Sequence, residues 1–481
     1  MANPLKQLAG ETAIYGLSTI LARIINFALV PIYTRVLTQS NYGVVTELMS
    51  WIGVFQVVLV LGLETGCFRY ANREGADQNK VFGNAFTAVF GLNAAFLALV
   101  IAFASPIASA LGYGGYESVI RYMGGILALD AVTAVLFARL RQDHKALKFA
   151  VIKTVKIFTE LGTNIYLFLA PSKPEWIYGL VSRTPDFSYV IFAIFASCVV
   201  CAVLLIPEFL RISIRLDRKL LKDMLLYSIP LMIAALPGTI NELLDRILFR
   251  WCDTSSQQWR ATLGVYQAAV KLSVIMNLFI QMFRYAAEPF FFQKAKDKDS
   301  KELYAKVMTW FVAFCCLVLL GVVFYIDVLE LLLGKDFRSA IGVVPIMLLA
   351  YIFLGMLFNV NMWYKLSGHT SMAIYITLIG LAVTAVVNII FMPAFSYWAS
   401  AFGHLLSYLV MLVVSVILGN KYYRIPYNWK LIALLFVLTG AFFALSLMTA
   451  GIATLWIKLG INTILLAVFG GTAFLLAKSG K

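Results

Sequence analysis

Residues 147–170 read LKFAVIKTVKIFTELGTNIYLFLA. The run is long enough to cross a bilayer, which takes about 20 predominantly apolar residues. Yet Lys153, Lys156 and Glu160 lie inside it. A cation at bilayer depth costs roughly 2.5 kcal/mol or more unless it faces a cavity or a partner. Lys153 and Lys156 are three residues apart and share one helix face. Glu160, four residues beyond Lys156, is a possible partner for it.

The same pattern recurs along the chain. Arg23, Arg246, Lys271 and Arg284 also fall within long apolar runs. The 481 residues are 61% hydrophobic and only 13% charged, with a mean hydropathy of +0.86. A soluble domain carries about 25% charged residues, so the chain reads as an all-α, polytopic membrane protein. About fourteen apolar runs are expected to cross the membrane, from 10–36 to 454–477. Residues 1–10 are polar and lead straight into the first run, which argues against a cleavable signal peptide.

Net charge is +15. In a membrane protein this reflects basic loops that set topology rather than nucleic-acid binding. One alternate set of gaps is rich in Lys and Arg, including Arg69, Arg73, Lys80, Arg139, Arg141, Lys145 and Lys148. The other set is poor in them, with Arg35, Lys173, Arg183 and Lys335 among its few. The positive-inside rule then places both termini in the cytoplasm. The six cysteines are scattered, and Cys198-x-x-Cys201 has no second pair and no His partner. No metal site is expected.

Two halves echo one another. Phe68-Arg69-Tyr70 ends the second run, and Phe283-Arg284-Tyr285 falls at the matching place in the eighth. Pro31 interrupts the first run, and Pro230 and Pro237 interrupt the seventh. Repeats of this kind are common in transporters that bind substrate between their halves. The expected organisation is a six-helix lobe over 1–210, a second over 211–425 and a peripheral pair over 426–481. A central cavity lies between the lobes, and the two extra helices lie outside it.

Cations held in such a cavity suit an anionic ligand, because Arg contacts phosphate bidentately and Lys offers a point charge. Arg23 and Lys271 are the deepest and lead the candidate substrate contacts. Arg246, Lys153 and Lys156 follow. Glu64, Asp130, Asp245 and Glu160 are candidates for coupling to a proton or sodium ion. Arg284 and Glu288, four residues apart, are expected to pair at a gate. No catalytic residue and no cofactor is expected. The sequence holds no nucleotide-binding loop and no Ser-His-Asp arrangement.

The segments that carry a family resemblance are Tyr15-Gly16-Leu17, Pro31-Ile32-Tyr33-Thr34-Arg35-Val36-Leu37 and Asn41-Tyr42-Gly43. Leu61-Gly62-Leu63-Glu64-Thr65 with Phe68-Arg69-Tyr70 belongs with them. The most specific is Gly264-Val265-Tyr266-Gln267-Ala268-Ala269-Val270-Lys271-Leu272, running to Phe283-Arg284-Tyr285-Ala286-Ala287-Glu288-Pro289-Phe290-Phe291. Together they resemble polysaccharide-biosynthesis flippases, the O-antigen (Wzx-type) branch of the multidrug/oligosaccharidyl-lipid/polysaccharide exporter superfamily. The resemblance spans essentially the whole chain. It implies a non-enzymatic flippase in the bacterial cytoplasmic (inner) membrane. The cargo would be an undecaprenyl-diphosphate-linked oligosaccharide, moved by alternating access. Partners would be that lipid-linked oligosaccharide, membrane lipids and other glycan-assembly proteins. The alternatives are a cation-coupled multidrug exporter of the same superfamily or an integral-membrane glycosyltransferase or polymerase. An exporter of cationic drugs should favour an acidic cavity, and a polymerase should carry a large external loop. The chain shows neither.

Overall fold

In the computed structural model, the structure describes residues 16, 20–212, 216–254, 258–295, 297–448 and 454–479. Among them every regular element is helical. Residues 20–28 are helical and stop at Leu29, and α1 (Val30–Val36) restarts with Pro31 in its first turn. Proline suits that place because its missing N–H has no helical partner there. Tyr15 and Leu17, part of the first family segment, lie outside the described residues.

The elements of the first half follow in order. They are α2 (Gln39–Leu59), α3 (Leu63–Ala71), α4 (Gln78–Ala102), α5 (Ala104–Ala110) and α6 (Glu117–Gln142). Next come α7 (Ala146–Leu169), α8 (Phe187–Leu204), the single turn α9 (Ile206–Phe209) and α10 (Arg218–Cys252). Short polar side chains start several of these helices by accepting backbone N–H groups that have no partner in the first turn. Thr38 caps α2 through Asn41 N, Asp77 caps α4, and Asp186 caps α8 through Ser188 N.

The second half holds α11 (Trp259–Leu272), α12 (Val274–Lys294), α13 (Ser300–Phe324), the single turn α14 (Ile326–Leu329), α15 (Val344–Val360) and α16 (Met362–Leu366). It ends with α17 (Met372–Phe395), α18 (Tyr397–Tyr422), α19 (Trp429–Met448) and α20 (Leu455–Ser479). Pro289 lies inside α12, which continues to Lys294. Pro230 and Pro237 lie inside α10, which runs through both without interruption.

Eleven described helices are long and apolar enough to cross a membrane, and a twelfth counts if the bent pair α11–α12 is one span. The expected number of fourteen is therefore not reached on length and composition alone. Helix α7 falls out of that count because Lys148, Lys153, Lys156 and Glu160 lie along it, although its 24 residues extend about 36 Å. The first run lies partly outside the described residues.

The chain divides into two compact units, residues 1–247 and 248–481, so the division falls within α10. The first helix turns of α10 hold to the first unit by close contacts. Gly62 sits at φ +64°, and a Cβ there would come within 2.5 Å of the Ser228 carbonyl oxygen. Tyr70 donates to the Asp223 carbonyl at 2.8 Å, and the Arg69 guanidinium lies 4.0 Å from the centre of the Tyr227 ring. These ties keep residues 218–247 with the helices before them. In the second unit α19 and α20 pack on α13 and on one another. Asn462 donates to the Phe324 carbonyl at 2.9 Å, and Trp310 meets Phe474 edge to face.

The two Phe-Arg-Tyr segments have matching surroundings. Each follows a break in its span, at Leu61–Gly62 between α2 and α3 and at Ser273 between α11 and α12. Leu61 and Gly62 both take positive φ, which only glycine adopts freely. Helices α11 and α12 meet at 50°. Arg69 stacks over Tyr227 in the first unit, and Arg284 stacks over Phe358 at 4.8 Å in the second.

Candidate functional site

Several intramembrane charges of the first unit meet where α6 and α7 pack. Lys156 on α7 binds Asp130 on α6, with Nζ 2.5 Å from Oδ1. The partner is thus across the helix interface, and not Glu160 one turn away. Cys198 on α8 donates its thiol to the same Asp130 oxygen at 3.4 Å. Cys201, one turn on, faces the same lysines. The Cys198-x-x-Cys201 spacing therefore places two thiols against an ion pair.

Lys153 has no carboxylate within ion-pair distance among the described residues. Its ammonium sits 4.2 Å from the centre of the Phe137 ring, a cation–π contact that only partly replaces water. The Glu160 carboxylate likewise has no hydrogen bond or ion pair among the described residues. It is an electrostatic neighbour of Lys156, Asp130 and Tyr33. Tyr33 in turn lies 6.3 Å, ring to ring, from Tyr42, and Tyr42 is an electrostatic neighbour of Arg246. A belt of polar groups thus runs from α6 and α7 through Tyr33 and Tyr42 to α10.

Arg246 lies 4.0 Å from Asp245, whose side chain is fully buried. Arg23, within the helical residues 20–28, is half-buried and has no ion-pair partner among the described residues. In the second unit Lys271 occupies the last turn of α11, directly before the break at Ser273. Broken spans expose backbone polar groups, and transporters place ligands at such ends. Arg284 lies 3.7 Å from Glu288, and Lys365 binds the same carboxylate. That cluster sets two cations on one carboxylate within its own unit. Glu64 is bound by Arg141 of α6.

Sequence reasoning missed the acidic centre at Glu208, and it recognised Glu47 as a buried acid without finding its partner. Glu208 on α9 is 1% exposed and gathers Lys148 at 2.6 Å, Arg211 at 3.3 Å and Lys145 at 3.6 Å. Burial raises its pKa, but the Lys148 hydrogen bond and the charges of Lys145, Lys148 and Arg211 outweigh this and hold it below the usual carboxylate range. The surplus of cations on either side of Glu208 was a legible signal. Glu47 on α2 accepts a hydrogen bond from the Tyr113 hydroxyl, which lies in the turn between α5 and α6. The partners are 66 residues apart, and no local pattern joins them.

This architecture is that of a multi-pass helical membrane protein. A family profile described as polysaccharide biosynthesis protein matches residues 8–295. The chain belongs to that family. Its fold is similar to the solved structure titled lipid II flippase MurJ, inward closed conformation. The TM-score is 0.74 at 12% identity, covering 95% of this chain and 97% of that one. It is also similar to a MATE structure in the straight conformation, with a TM-score of 0.58 at 12% identity, covering 87% and 96%. An outward-facing multidrug resistance MATE transporter of the MOP superfamily gives a TM-score of 0.57 at 12% identity, covering 86% and 94%. At these identities the likeness is one of fold. No curated protein sequence matches the chain significantly.

Proposed function

We propose that the protein is a flippase for an undecaprenyl-diphosphate-linked oligosaccharide, an O-antigen or exopolysaccharide repeat unit. It would move that unit across the bacterial cytoplasmic membrane by alternating access, with both termini in the cytoplasm. The observation that carries the reading is Arg23 and Lys153. Both sit within apolar helices, and neither has an ion-pair partner among the described residues. A diphosphate would supply the missing negative charge, and hydrocarbon cannot. Arg246 and Lys271 are the further contacts, whereas Lys156 is engaged by Asp130. The family membership and the likeness to a structure titled as a lipid flippase support the same reading.

Coupling to a proton or sodium gradient falls to the polar belt. Asp130 and Glu64 are already held by Lys156 and Arg141, so Glu160 is the carboxylate best placed to exchange an ion. The MATE-like fold leaves a cation-coupled multidrug exporter as the second reading. The test is glycan display in a flippase-null strain. Arg23→Gln and Lys153→Gln should each abolish display while the protein remains folded in the membrane. Full display by both variants would refute the cationic-site mechanism. Loss of drug resistance with display intact would favour the exporter.

A further inference from the structure

One cavity in the first unit takes no part in the proposed site. It has a volume of about 400 Å³ and is walled by α2, α4, α5 and α6. That is within the roughly 300–1,000 Å³ of small-molecule sites. Its walls are carbon, with Trp51 and Phe55 on one side, Phe96 and Ile107 on another, and Met123 and Leu127 at the base. Two features of the chain make it. Phe103 breaks the helix between α4 and α5, and α5 then lies on α6 through Ala104, Ala108 and Ile120. Lower down, Gly124 lets α4 come close to α6, since a Cβ there would approach Val100 to 2.7 Å. The two helices are therefore tight at the base, and α5 roofs the space above.

The polar end of the cavity is Glu47, with the Tyr113 hydroxyl bonded to it. Phe55 lies eight residues further along α2, about 12 Å deeper at 1.5 Å per residue. The lining thus extends about 12 Å along α2 from Glu47 to Phe55, and nearly all the surface it presents is carbon. Phe55 is 44% exposed and opens the apolar end to the surroundings.

We propose that this cavity binds one acyl chain of a bilayer phospholipid. Three of the four helices that wall it, α2, α4 and α6, are membrane-span candidates, so hydrocarbon chains are the apolar molecules available to it. The carboxylate of Glu47 has the wrong charge for a diphosphate headgroup. None of the cations assigned to the transported substrate lines the space. The bound chain would act as a resident wedge between α2, α4 and α6.

The experiment uses full-length protein in phosphatidylethanolamine vesicles doped with a phosphatidylethanolamine that carries a photoactivatable diazirine on one acyl chain. Labelled positions are mapped by mass spectrometry at rising probe fraction. Labelling within 47–55, 96–111 and 120–127 should saturate at low probe fraction. Labelling around the exposed Val386, Ile389 and Ile390 on α17 should rise in proportion to the probe throughout. Ala110→Trp sets an indole into the roof of the cavity and should cut the cavity labelling by about tenfold while leaving α17 unchanged. Proportional labelling at both places in the wild-type protein would overturn the proposal without recourse to any variant. So would saturation seen only with a polyprenyl-diphosphate diazirine probe, which would assign the cavity to the transported substrate.

Discussion

Replacing Asp130 by Asn tests whether that carboxylate serves structure or coupling. The substitution removes the anion facing Lys156 Nζ at 2.5 Å and leaves the lysine 16% exposed between α6, α7 and α8. Breaking a fully buried pair from one side costs about 3–5 kcal/mol. Asp130 is 32% exposed, so screening lowers the expected loss to about 1–2 kcal/mol. Lys156→Met alone should cost a similar amount, because Asp130 keeps only the weak Cys198 thiol donor. The double variant Asp130→Asn/Lys156→Met leaves no unpaired charge and should recover most of the loss. Thermal unfolding of the purified protein in detergent measures all four states of the cycle. Glycan display in a flippase-null strain, run in parallel, separates the roles. If the pair is structural and Glu160 carries the ion, the double variant displays glycan. A double variant as unstable as the two single losses added together would refute the pairing argument. A stable double variant with no display would move the coupling role to Asp130.

Glu160→Gln should abolish glycan display with unfolding temperature unchanged, because its carboxylate makes no ion pair among the described residues; display at the wild-type level refutes the coupling assignment. Glu208→Gln should destabilise the protein at pH 7 by about 1–2 kcal/mol, since its three cations keep access to water on their outer sides. The folded pKa of Glu208 lies below that of an unfolded glutamate, about 4.3. Its contribution is therefore complete above that value and is lost as pH falls toward the folded pKa, so the wild-type and Gln variants should converge in stability only in that acidic window. Gly62→Ala should lower stability by about 2 kcal/mol or more, combining the cost of a positive φ with the clash on the Ser228 carbonyl; unfolding temperature reads the loss, and an unchanged value would show that α3 and α10 are not held as close as described.

The helical, membrane-spanning character of the chain was legible because hydropathy is a property of each run by itself. The breaks at Gly62 and Ser273 were not, since both lie inside apolar runs that read as continuous. The cations of the candidate site could be named from sequence for the same reason that the spans could. A charge among apolar residues announces itself. Their partners could not be named, because pairing is a property of two helices. Lys156 has an acid four residues along its own helix, and it binds one 26 residues away instead. That choice has a functional consequence. With Asp130 neutralising Lys156, the cations left without an ion pair in the described part of the first unit include Lys153 and Arg23. With Lys156 engaged by Asp130, Glu160 is left as the unpaired acid. One interhelical pair thus divides four neighbouring charges into a fixed brace and two groups, Lys153 and Glu160, which the proposed function assigns to diphosphate binding and ion exchange. Lys156→Glu would invert that division, placing like charges at Asp130 and Glu160. It should cost more stability than Lys156→Met, and Lys156→Glu/Asp130→Lys should restore it, with unfolding temperature as the measure. Failure of the swapped pair to recover stability would show that the surroundings of α6 and α7 favour the native polarity, and the brace would then owe its stability to more than the two charges.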